Sequence, residues 1–124
     1  MTKNIIFVDD EVALHKLIEL KFRKEIEEKK VNLHLFENGK TCLDFIRSYI
    51  SETRIDYVFS DITMPEMDGL TLAKHINEEY PDLPVFLVTA LDFEEYKQRA
   101  SNTSNGFIPK PVNFNEIKEI IFSD

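Results

Sequence analysis

Four short apolar runs in this chain each stop at a residue equipped for chemistry, and that pattern restricts the fold more than any other feature. Ile5-Ile6-Phe7-Val8 leads into Asp9 and Asp10, and Tyr57-Val58-Phe59-Ser60 leads into Asp61. Val85-Phe86-Leu87-Val88 leads into Thr89, and Phe107-Ile108-Pro109 leads into Lys110. Nearly continuous apolar runs of this length mark strands covered on both faces, as in a parallel sheet. The Asp61 run is followed at once by Pro65 and Gly69, turn residues that end it in a loop. Ligands of an open parallel sheet bind beyond the carboxyl ends of its strands. Those ends would therefore gather three acids, a hydroxyl and an amine into one crevice.

The segments between the runs read as helices. Leu14, Leu17, Ile18, Phe22 and Ile26 recur at helical spacing, predicting a first helix that runs to about Lys29. Asp9-Asp10-Glu11 suits its positive N-terminus. Val31 to Phe36 alternates as a second strand near an edge, and Asn38-Gly39 predicts a turn. Cys42, Phe45, Ile46 and Tyr49 mark a second helix, Leu72, Ala73, Ile76 and Tyr80 a third, Asp92 to Ala100 a fourth, and Phe114, Ile117 and Ile121 the last. Strands thus alternate with helices five times, which implies an α/β fold with a doubly wound parallel sheet and helices on both faces. The size suits a five-stranded, flavodoxin-like sheet of order 2-1-3-4-5.

A length of 124 residues fits one domain spanning 1–124. The net charge of -8 argues against binding nucleic acid or an anionic membrane through bulk charge. Cys42 is the only cysteine, so a disulfide framework and a thiolate zinc site are excluded, and a reducing cytoplasm is the simplest setting. Met1-Thr2-Lys3-Asn4 enters a strand too short for a signal peptide or a membrane span.

Carboxylates crowded together repel one another or rise in pKa unless a counter-charge joins them. Magnesium resolves this, because it takes oxygen ligands and is typically held by one or two carboxylates, water and phosphate oxygens. No histidine or cysteine stands at a predicted strand end, which disfavours zinc, copper and nickel. A carboxylate can itself attack phosphorus, and the charge on the transferring oxygens must then be neutralised. Asp61 as acceptor, with Lys110, the Thr89 hydroxyl and a cation, completes an inventory for phosphoryl transfer.

With these residues in place, the chain resembles the receiver domain of two-component response regulators over nearly its whole length. The resemblance rests on the acid pair Asp9-Asp10, on Asp61 with its downstream Met64-Pro65 and Asp68-Gly69, on Thr89-Ala90 and on Lys110-Pro111. It implies phosphorylation of Asp61 by a histidine kinase or histidine phosphotransfer protein, with Mg²⁺ as cofactor and Mn²⁺ as a substitute. It further implies Asp10 and Asp61 as direct metal ligands, Asp9 acting mostly through water, and the Thr63 carbonyl completing the set. Lys110 would pair with Asp61 or its phosphate, Thr89 would bond the phosphoryl group, and Phe107 would move with it. The Lys110-Pro111 peptide is expected to be cis. A homodimer or a downstream protein would meet the fourth helix, fifth strand and fifth helix, where Phe93, Tyr96 and Ile120 lie. A cytoplasmic signalling domain with no output domain, no direct nucleic-acid contact and no turnover activity is the resulting expectation. Three features depart from the family: a longer stretch between Asp10 and Asp61, Asn105-Gly106 before the last strand where Gly-Ala is common, and Phe107 where tyrosine is commoner.

Other readings compete. A haloacid-dehalogenase-like phosphohydrolase typically carries a second acid two residues after the nucleophile, a position held here by Thr63. A pseudo-receiver normally lacks the acid pair, the Asp or the Lys, and all are present. Asp68-Gly69 is expected to start a helix, Cys42 to be an inert core residue, and His15, His34 and His75 to lie on the surface. The acid runs Glu25 to Glu28 and Glu94-Glu95 are expected to be solvated.

Overall fold

Strands β1 (Lys3–Val8), β2 (Val31–Phe36), β3 (Tyr57–Asp61), β4 (Val85–Thr89) and β5 (Gly106–Pro109) form one sheet in the order β2-β1-β3-β4-β5. Every pairing is parallel. The computed structural model describes residues 2–90 and 104–123. Its helices are α1 (Val12–Lys21), α2 (Arg23–Glu27), α3 (Gly39–Tyr49), α4 (Gly69–Glu79) and α5 (Phe114–Ile121). The expected helix Asp92 to Ala100, with Phe93, Tyr96 and the Glu94-Glu95 run, lies outside the described residues. The doubly wound order expected from the alternation of elements is the one observed.

Both faces of the sheet are covered, which is why its strands read as unbroken apolar runs. Ile6, Val8, Val58 and Leu87 point into a core shared with Cys42, Leu43 and Ile46 of α3 and Leu72, Ala73 and Ile76 of α4. Ile5, Phe7, Phe59 and Val88 point the other way, onto Ile18 of α1, Phe22, and Ile117 and Ile121 of α5. Phe59 stacks between Phe7 and Phe86, with ring centroids 5.2 and 5.4 Å away, so aromatic contacts run across three strands on that side. Cys42 is fully buried, and burial pushes its thiol up to about 12, as an inert core residue requires.

The first helix departs from expectation. It breaks at Phe22, whose φ of -101° and ψ of 8° leave the helical region, and resumes as α2. Phe22 is fully buried against Phe7 and Phe114. At the break Lys118 of α5 donates a 2.8 Å hydrogen bond to the Lys21 carbonyl. A side chain engaging a ladder carbonyl is a recognised cause of helix kinks. Lys118 also sits 5.2 Å from the Phe22 ring centroid and 3.1 Å from Glu25. Glu25 is thus not a solvated acid; burial raises its pKa, but the hydrogen bond and charge of Lys118, a backbone hydrogen bond and the Lys24 charge together outweigh it, and the net direction is down. Periodicity carried the helix through Phe22 because the i, i+4 pattern continues across the break.

Smaller corrections follow from capping. Asn38-Gly39 is not a free turn: the Asn38 side chain accepts from Thr41 N–H at 2.9 Å and opens α3. His34 is half-buried, tilted against the Phe45 ring at 5.0 Å, and burial lowers its pKa. His15 is half-buried too.

Candidate functional site

Parallel register brings the chemistry together. Val8 pairs with Ser60, Asp61 with Val88, and Thr89 with Pro109. The strands therefore end nearly level, and the residues just past their ends share one rim. Carboxylate oxygens of Asp9, Asp10 and Asp61 all lie within 4.8 Å of one another. Lys110 Nζ lies 3.2 Å from Asp61 Oδ2 and 3.4 Å from Asp9 Oδ2. Four of the residues picked from the sequence thus form one cluster.

The acid pair differs in exposure. The Asp9 side chain is only 5% exposed, and both its oxygens are engaged: Oδ1 accepts from Glu11 N–H at 2.9 Å, and Oδ2 faces Lys110. Its backbone N–H donates to the Phe36 carbonyl at 2.9 Å, and its carbonyl meets His15 Nε2 at 2.7 Å. Asp10, by contrast, is exposed. Thr63, in the loop after β3, is exposed as well.

One ammonium serves two sheltered carboxylates. Burial pushes the Asp61 carboxyl up, Lys110 pulls it back, Asp9 pushes it up again, and the net direction is up. For Lys110, burial pulls the ammonium down, but Asp61 and Asp9 together outweigh it and hold it above its ordinary value. An all-oxygen donor set with surplus negative charge fits a hard divalent cation.

Thr89 is buried at the end of β4, and its carbonyl accepts from Lys110 N–H at 3.0 Å. Phe107 pairs in register with Leu87, two residues before Thr89, so strand alternation puts Phe107 and Thr89 on one face. The Phe107 ring is half-buried and packs against the α3 and α4 side of the core. The Lys110-Pro111 peptide is cis.

The loop after β3 is tied back to Asp61. Asp68 caps α4 by accepting from Thr71 N–H at 2.8 Å, the helix start expected for Asp68-Gly69. Gly69 N–H donates to the Ile62 carbonyl at 2.8 Å. A Cβ on Gly69 would overlap the backbone carbonyl of Asp61. Gly69→Ala is expected to cost about 1–3 kcal/mol, the range for overpacking. Urea unfolding measures the loss.

A family model for the response regulator receiver domain matches residues 5–122. The chain belongs to the response regulator receiver domain family. Among its relatives, this receiver domain is 32% identical over 119 residues to the DNA-binding transcriptional regulator NtrC of Proteus hauseri. The match covers 95% of this chain and 24% of that regulator, so the chain spans about a quarter of this relative's length. Among solved structures, the response regulator TrrA of Thermotoga maritima in complex with Mg²⁺-BeF matches with a TM-score of 0.75 and 27% identity, covering 98% of this chain and 97% of that one. A co-crystal of the Saccharomyces cerevisiae phosphotransfer protein Ypd1 with the receiver domain of Ssk1 matches with a TM-score of 0.80 at 21% identity, covering 97% and 86%, a likeness of fold. Receiver domains of response regulators are phosphorylated on an aspartate by a histidine kinase or phosphotransfer protein, and this domain is one of them. Among the described residues no helix is long and apolar enough to cross a membrane.

Proposed function

We propose that Asp61 is the phosphoryl acceptor of this domain. The observation that carries the proposal is its carboxylate at the end of the central strand, 3.2 Å from Lys110 and clustered with Asp9 and Asp10. An Asp61 oxygen attacks the phosphorus of a phosphohistidine on the donor, the P–N bond breaks, and an aspartyl phosphate forms. Lys110 balances charge on the transferring oxygens, since its ammonium already faces Asp61. Asp10 and Asp61 supply carboxylate ligands to Mg²⁺, with Mn²⁺ as a substitute, and the Thr63 carbonyl adds a neutral one. Asp9 acts through water because both its oxygens are engaged. When bound, the cation supplies the positive charge that lets the carboxylates and phosphoryl oxygens sit together.

The donor is a histidine kinase or phosphotransfer protein in the cytoplasm, and the Ypd1–Ssk1 complex is the kind of pairing proposed. Phosphate gives the Thr89 hydroxyl new acceptor oxygens, and Phe107, on the same face, follows. The readout surface comprises β5, α5 and the segment before β5, and meets a downstream protein or a second copy. With no hydroxyl on Phe107, burial of the ring alone holds the switched state. Thr89→Ala is expected to bind beryllofluoride yet lose the shift at Phe107 seen by NMR in wild type; an unchanged shift refutes the coupling.

The proposal is tested by labelling with acetyl phosphate in Mg²⁺ and in EDTA, where label should appear and vanish respectively. Asp10→Ala should weaken Mg²⁺ binding more than Asp9→Ala, because Asp10 is the exposed carboxylate while Asp9 is already hydrogen-bonded. The reverse order in a calorimetric titration would reassign the inner ligand.

A further inference from the structure

We propose that His15 is a positioning residue for the metal site, setting the direction of the Asp10 carboxylate through the peptide that joins Asp9 to Asp10. The proposal rests on the reading of Asp10 as a metal ligand. His15 stands in α1 and is half-buried. Its Nε2 lies 2.7 Å from the Asp9 carbonyl oxygen. A carbonyl only accepts, so Nε2 carries the hydrogen and donates.

That carbonyl lies outside the ladder of α1. The helix begins at Val12 with Glu11 as its cap, and the Glu11 side chain makes no capping hydrogen bond. The Glu11 carbonyl is taken by Leu14 N–H at 3.0 Å, so the helix's own bonding starts two residues after Asp9. Every other attachment in the turn holds Asp9 on its own side: its N–H on the Phe36 carbonyl, Oδ1 on Glu11 N–H, and Oδ2 near Lys110. His15 holds the plane of the Asp9–Asp10 peptide, and that plane fixes the backbone from which the Asp10 side chain leaves. Asp10 is exposed, with water on hand to satisfy its carboxylate in other directions. A donor at the preceding carbonyl therefore narrows where the ligand points before any ion arrives. Outer groups that orient metal ligands are commonly worth about 10–100-fold in affinity.

The experiment compares Mg²⁺ titrations, followed by amide NMR shifts, of wild type, His15→Phe and His15→Gln. Phenylalanine keeps a flat ring and loses the donor; glutamine keeps an N–H donor on a chain of similar reach. His15→Phe should bind Mg²⁺ about tenfold more weakly, the low end of that range, and His15→Gln should recover most of the affinity. Labelling from acetyl phosphate should be slow in His15→Phe at low Mg²⁺ and return to the wild-type rate at saturating Mg²⁺, because Asp61 and Lys110 are untouched. His15→Leu is the second donor-free variant, with the same expectation, for use where the Phe variant does not fold. Wild-type affinity in the donor-free variants, or a Gln variant as weak as they are, overturns the role. Wild type that shows no Mg²⁺ response at all overturns the metal reading itself, which separates the two failures.

Discussion

Asp61→Asn is expected to abolish phosphoryl acceptance and, in metal-free buffer at neutral pH, to raise the melting temperature. Loss of label follows because an amide offers no carboxylate nucleophile. The rise in stability follows from linkage. Burial raises the Asp61 pKa in the folded state, so the group favours folding most when protonated, and that contribution fades as pH rises through the raised value. At neutral pH its charge therefore works against the fold, beside an Asp9 carboxylate that shares the same lysine. Asparagine is neutral at every pH and removes that cost, while its amide oxygen remains a hydrogen-bond acceptor for Lys110. The melting curve of the variant should also depend less on pH over the acidic range. Wild-type labelling in Asp61→Asn would show a different acceptor. A lower melting temperature would show that Asp61 serves the fold as an ion-pair partner first.

Lys110→Ala should separate metal affinity from phosphorylation, moving them in opposite directions. The ammonium is the cation held within 3.4 Å of both Asp9 and Asp61. Removing it leaves sheltered carboxylates uncompensated, so Mg²⁺ should bind more tightly to the variant than to wild type and restore more of its thermal stability. Labelling should nevertheless fall about 100-fold, the lower end of what loss of one preorganised charge-stabilising group costs. The Lys110 side chain is 22% exposed and sits at a strand end, so the domain should remain cooperatively folded. Calorimetric titration, thermal melts and labelling at saturating Mg²⁺ measure the three quantities. Unchanged labelling would remove Lys110 from the chemistry, and a lost thermal transition would make its role structural.

The sequence by itself determined the sheet and which acids and lysine cluster at its rim. Burial on both faces forces strands into unbroken apolar runs, so β1, β3, β4 and β5 were legible as such, and a parallel sheet sends their ends to one rim. Asp9, Asp10, Asp61 and Lys110, which cluster at that rim, were picked because each directly ends or follows a run. Asp68, Gly69 and Cys42 also kept the roles their local chemistry implied. What tertiary structure decided was everything that depends on a partner distant in sequence. The break at Phe22 depends on Lys118 and Phe114, which belong to the last helix, and Glu25 owes its shelter to the same lysine. His15 shows no spacing signal, because its partner is a backbone carbonyl that any residue at position 9 would offer. The difference in burial between Asp9 and Asp10 carries no local signal either, since adjacent identical residues differ only in which one the turn buries; only the family resemblance set them apart beforehand. Local pattern encodes which face of a chain is dry; which polar atoms meet is settled only when the elements dock.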